Sequence, residues 1–207
     1  MWIEKLMPNM LDSAGDASPT GRYLFSEYFV EAPALFYRKE SDTYYAVFGH
    51  CCCYCYQGSG AIVHTAPTPL GPWTSLGDVA CIPTTGGDEQ QKVPPVTPAA
   101  SRREAFLEAV GAAAAAPGAL GGAPTPGQGC QYVNASTTSS LRSQQSDIFS
   151  VDLADGSTAW IFAGDRWQQS WDGTKAHDPQ LWVPIVFNAD NSIAPLRWLD
   201  NFSLPIV

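Results

Sequence analysis

The sequence predicts an all-β fold built from repeated antiparallel meanders, and three observations carry that prediction. Apolar and aromatic runs of four to eight residues recur along the chain, turn-forming residues separate them, and the pattern appears in two regions of similar length. In the first region the strands are expected at residues 34–38, 44–49, 61–65 and 73–76, with breaks at 39–43, 57–60 and 67–72. In the second, between residues 146 and 202, they are expected at 147–153, 158–163, 181–188 and 195–199. Asp155-Gly156, Asp172-Gly173 and Asp190-Asn191 are the reversal signals there. Two four-stranded meanders of this size suggest propeller blades.

The stretch between them differs in kind. Residues 83–129 are rich in Ala, Pro, Gly and Thr, a composition that cannot pack as a strand layer and reads as a disordered insertion within one domain spanning 1–207. Within it, residues 101–116 carry good helix formers behind Ser101, but Pro95, Pro98 and Pro117 flank them and the apolar face is thin. A marginal helix is expected there.

Composition narrows the function. The 207 residues are 45% hydrophobic and 12% aromatic, enough for a core of ordinary size. The formal net charge is -9, which argues against nucleic acid as a partner, since a phosphate backbone calls for a basic face. No run of apolar residues is long enough to span a bilayer, and the first residues, Met1-Trp2-Ile3-Glu4-Lys5, do not read as a signal peptide. The six cysteines, Cys51, Cys52, Cys53, Cys55, Cys81 and Cys130, are even in number and compatible with disulfides in an oxidising compartment. A bridge between Cys81 and Cys130 would close the base of the insertion. The sequons at Asn134 and Asn201 point the same way, so a secreted parent protein is expected. Clustered cysteines without a second spaced pair, and histidines as scattered as His50, His64 and His177, give no metal-ligand set, and no cofactor motif occurs.

One carboxylate stands out. Glu31 lies at the mouth of a hairpin whose strands are otherwise apolar and aromatic, Ala34-Leu35-Phe36 and Tyr44-Tyr45-Ala46-Val47-Phe48. Such an acid is either a solvated strand end or a catalytic group. Further along, Gln144-Gln145 precede the second region, and Asp165-Arg166-Trp167 close the apolar strand around Trp160 to Ala163. The Asp-Arg-Trp triplet is either a sugar-binding set, with guanidinium for hydroxyls and indole for a pyranose face, or a structural ion pair over a core tryptophan. Trp171 and Trp182 raise the same alternatives, with the alternating strand around Trp182 favouring the core.

These stretches resemble glycoside hydrolase family 43, in particular its exo-β-1,3-galactanase-like branch. The resemblance runs through Val30 to Phe36 with Tyr44-Tyr45, the segment ending Pro69-Leu70-Gly71-Pro72-Trp73, Ser143 to Ser146, Gly164 to Trp167, and Leu181-Trp182-Val183-Pro184. It implies the C-terminal part of a five-bladed propeller, two to three blades of an architecture that needs about 300 residues at four strands per blade. It also implies an oligo- or polysaccharide substrate of β-galactan type, hydrolysed with inversion. Glu31 falls at the family's general-acid position, where Val30, Pro33 and Phe36 are expected to desolvate it. Gln144 or Gln145 falls where a base is expected and either orients water, acts through an imidic tautomer, or hydrogen-bonds the backbone of the funnel. Asp165, Arg166, Trp167 and Trp182 are the substrate-binding candidates. The aspartate base and the aspartate that tunes the acid in most relatives have no counterpart in this sequence. A non-catalytic carbohydrate-binding protein is the alternative function.

Overall fold

The computed structural model describes residues 1–14, 22–27, 30–50, 58–83 and 138–206, with side chains at 81–83 and 138–140 left aside. The cysteines at 51–53, 55 and 130, the helix expected at 101–116, the sequon at Asn134 and all of the insertion but Pro83 lie outside these residues. Among the described residues the protein is all-β and every sheet is antiparallel.

Among the described residues eleven strands follow one another. A two-stranded ribbon, β1 (Trp2–Glu4) with β2 (Arg22–Leu24), precedes a four-stranded meander of β3 (Val30–Arg38), β4 (Thr43–His50), β5 (Ile62–Ala66) and β6 (Thr74–Asp78). The short β7 (Cys81–Pro83) pairs with β8 (Thr138–Ser140), so the chain leaves and re-enters at one point, Pro83 opposite Thr138. A three-stranded meander of β9 (Gln144–Asp152), β10 (Thr158–Asp165) and β11 (Gln180–Ile185) completes the set.

The main core lies between the two meanders. Ala34, Phe36, Tyr45, Val47 and Val63 from the first meet Ile148, Phe162, Leu181, Val183 and Ile185 from the second. Phe36 stacks parallel on Tyr45 at 4.8 Å between ring centroids and also meets Trp160 at 4.7 Å. Burying each such aromatic contributes roughly 2–3 kcal/mol. A second cluster, Phe25, Ala46, Phe48, Ile62, Ala66 and Trp73, covers the other face of the first meander. With both faces covered, Tyr44 to Gly49 has no polar position, which is why it reads as an unbroken apolar run instead of an alternating one.

Two boundaries differ from expectation. β3 and β9 begin several residues earlier than the apolar pattern suggests, because each carries a bulge near its start. The fourth strand expected at 195–199 does not form. Pro195 has no N–H to give a ladder, and the N–H of Leu196 donates instead to the carbonyl of Val79 at 2.7 Å, tying this segment to the first meander.

Candidate active site

The first strands of the two meanders, β3 and β9, lie against each other, and their N-terminal ends meet at one edge of the core. Glu31 is the second residue of β3 and Gln144 the first of β9. The amide Nε2 of Gln144 donates to Glu31 Oε1 at 2.6 Å.

Bulges create this meeting. In β3, Glu31 faces Gly49 and Ala34 faces Val47, so three steps on one strand match two on the other. Pro33 cannot donate to a ladder, and Ala32 takes φ of +55°, the left-handed conformation that lets a bulge turn. In a regular strand Glu31 would share the face of Leu35 and Tyr37, both exposed. The extra residue puts it on the face of Ala34 and Phe36, toward β9. The same device acts in β9, where Gln145 faces Gly164 and Asp147 faces Ala163, leaving Ser146 as the extra residue. Gln145 therefore shares the core-facing side of Ile148 and is 1% exposed, while Gln144 turns to the other side.

Trp167 completes the group. Its indole Nε1 donates to Gln144 Oε1 at 2.7 Å. An indole N–H is only a donor, so it must meet the carbonyl end of the amide, and the NH₂ end is thereby directed at Glu31. Lys175 Nζ sits over the Trp167 ring, 4.9 Å from its centroid.

The remaining residues singled out by sequence have structural partners. Asp165 is half-buried and accepts from Gln180 Nε2 at 3.2 Å. The Arg166 guanidinium bonds Gln169 and lies 4.3 Å over the Trp198 ring. Trp182 is half-exposed on the outermost strand β11, edge-on to Phe149, and not in the core that its strand pattern favours. Its neighbour across the ladder is Ala163, on the sheet face opposite the core. Of the residues expected to desolvate Glu31, Phe36 packs into the core and Pro33 is exposed.

A tight loop supports the site from beneath. Gly58 and Gly60 have φ of +77° and +74°, and a Cβ on Gly58 would come within 2.5 Å of the Ser143 nitrogen. Between them Ser59 accepts from the His50 N–H at 2.7 Å and donates its own N–H to Ser143 O at 3.2 Å, bridging β4 to the start of β9. Asp78 stabilises the same corner by accepting from the N–H groups of Ala61 and Ala80, both at 2.9 Å, and lies 3.9 Å from His50. Burial pushes His50 below its ordinary pKa, against the opposing pull of Asp78 and Glu27.

Sequence reasoning missed Glu27 and its partner. Glu27 Oε1 lies 2.7 Å from His64 Nε2 in a buried pair, with Phe25 and Phe48 against the imidazole. An acid two residues beyond Phe25 in an aromatic stretch was the available signal, of the same kind as that for Glu31. Among the described residues, no group of three or more His, Cys, Asp or Glu is placed to hold a metal ion, and no helix is long and apolar enough to cross a membrane.

This fold resembles part of that of solved family 43 glycoside hydrolases. A β-1,3-galactosidase of that family, solved with galactodeoxynojirimycin, matches with a TM-score of 0.50 at 18% identity, over 98% of this chain and 39% of its own. A second β-1,3-galactosidase of the family matches with a TM-score of 0.50 at 18% identity, over 95% of this chain and 28% of its own. The chain thus spans about a third of the length of these enzymes, and at this identity the likeness is one of fold. No protein-family model and no curated protein matches the sequence.

Proposed function

We propose that the protein is the acid-bearing part of a family 43-type glycoside hydrolase, its two meanders serving as two blades of a five-bladed propeller and its substrate a β-galactan. Glu31 acts as general acid: its carboxyl proton passes to the glycosidic oxygen as the C–O bond breaks. Water then adds to the anomeric carbon from the opposite face and gives its proton to a base across the ring, roughly 6.5–9.5 Å from the acid in inverting enzymes. Gln144 positions Glu31. Its carbonyl is engaged by Trp167, so its amide serves better as a fixed donor than as a proton acceptor.

The observation that carries this reading is the Trp167, Gln144 and Glu31 relay at the meeting of two strand ends, where bulges on both strands turn polar side chains out of regular register. Bulges of this kind gather next to active sites, where they re-aim a side chain. The test is release of reducing sugar from β-1,3-galactan by the protein and its Glu31→Gln variant. Loss of a general acid is expected to slow release by about 10²- to 10⁴-fold, and release that persists in the variant would remove Glu31 from the reaction.

A second reading, a carbohydrate-binding protein without turnover, is favoured by one feature: the neighbour that faces the Glu31 carboxyl is an amide and not a second carboxylate. Titration calorimetry with the same galactan separates the two, since binding without sugar release supports the second.

A further inference from the structure

Three tryptophans of the second region have their rings occupied. Trp167 is bonded to Gln144 beneath Lys175, Trp198 lies under Arg166, and Trp160 packs on Phe36. Trp171 differs. It is 90% exposed, and among the described residues no ring or cation packs on it.

The loop that carries it is held firmly. Asp178 accepts from the N–H groups of Gln168, Gln169 and Ser170, each at 2.9 Å. Asp172 accepts from the Thr174 N–H at 3.0 Å and lies 2.7 Å from His177 Nδ1. A reversal from Ser170 to Gly173 is closed by the Gly173 N–H on Ser170 O, with Gly173 at φ of +71°. Trp171 therefore stands at the corner of a turn braced on both sides by carboxylates. The loop that presents its indole is preorganised, so little backbone freedom is lost on meeting a ligand. Trp171 lies four positions from Trp167, a span of at most roughly 14 Å, so it lies within a few pyranose rings of Glu31 and Gln144.

We propose that Trp171 is a stacking platform for a distal pyranose ring of the polysaccharide, extending the binding site beyond the ring at which cleavage occurs. The inference rests on the carbohydrate reading above. It assigns Trp171 to affinity for the chain, separate from chemistry at the terminal linkage, because the flat apolar indole face complements the C–H face of a pyranose while the hydroxyls stay in water.

Affinity electrophoresis through gels containing soluble β-1,3-galactan, together with hydrolysis of a short aryl β-galactoside, tests it on the wild-type protein, Trp171→Ala and Trp171→Phe. The alanine variant should bind galactan on the order of tenfold more weakly, the phenylalanine variant should recover part of the loss, and turnover of the short galactoside should be unchanged in both. Equal retardation of wild type and Trp171→Ala, no retardation of the wild type, or a parallel loss of short-substrate turnover would each overturn the platform. A wild type that is retarded through Trp171 yet cleaves neither substrate supports the platform and removes the hydrolase reading instead.

Discussion

The indole N–H of Trp167 donates to the amide carbonyl of Gln144, and that one bond decides which end of the amide Glu31 meets. Nothing in the symmetric shape of a glutamine amide would choose otherwise. The consequence is a directed relay from a loop residue, through the first residue of β9, to the carboxylate at the mouth of β3.

Replacing Trp167 with Phe keeps the ring and removes the donor. Gln144 then has a buried carbonyl without its partner, at a cost of about 1–3 kcal/mol. Chemical unfolding should register that loss. Sugar release should fall by more than the fraction unfolded accounts for, since the amide is free to rotate away from Glu31. Unaltered activity in a folded Trp167→Phe protein would show that the relay does not position the acid.

Ala32 sits at φ of +55° inside the β3 bulge, where a β-branched side chain is strained. Ala32→Gly should leave stability within about 1 kcal/mol of the parent, while Ala32→Val should cost about 1–2 kcal/mol or more. Because the bulge sets the face of Glu31, the valine variant should also lose galactan hydrolysis disproportionately. Equal midpoints in urea for the two variants would contradict this account.

At Gly58 a methyl group meets backbone, not a flexible side chain, so the neighbour cannot give way cheaply. Its φ of +77° adds conformational strain. Gly58→Ala is expected to cost about 2 kcal/mol or more, visible as a lower thermal midpoint, and to loosen the bridge between β4 and β9 beneath the site. Gly156→Ala is the control, since φ there is +80° but nothing lies within 4 Å of the added carbon.

Stability should respond to pH in two separate steps. Burial holds His50 and His64 below their ordinary value of 6.5, although Glu27 pulls His64 the other way. Below pH 6.5 the unfolded chain therefore binds protons that the folded protein refuses, and stability falls as pH drops through that window. Aspartates act lower. Asp172 is depressed by the Thr174 N–H and His177, and Asp190 by Ser192; at Asp178 the donors of the 168–170 loop outweigh the opposing effect of burial. Their contribution is present above 3.8 and is lost as pH falls through their lowered values. Urea midpoints from pH 7.5 to 3 should show a decline beginning near 6.5 and a second below 4. Replacing His50 with Gln should reduce the first step, and a flat profile between 7.5 and 5 would refute the assignment.

How far the fold could be read from residue order follows from what each segment buries. Strands β4, β5 and β10 are legible because both of their faces are apolar, and the Asp155-Gly156 and Asp190-Asn191 turns because their residues favour the required backbone. The segment at 195–199 has strand-like residues but spends its hydrogen bond on Val79, a partner more than a hundred positions away. Glu31 and the Gln144-Gln145 pair were recognisable as polar residues out of place. Which glutamine meets the acid was not, because in a strand the face of a residue alternates with position, and the added residue at Ser146 reverses that count.

Residue order by itself determined the antiparallel all-β pattern, the acidic surface balance and the short set of polar residues worth asking about. Only the tertiary structure decided that Gln144 holds Glu31, that Gln145 is interior, that Trp167 orients an amide under Lys175, and that Trp171 is left open to solvent. The physical reason is that apolar periodicity is a local property, written every second residue. The register of two bulged strands, and the pairing of their ends, depends on contacts between segments far apart in the chain.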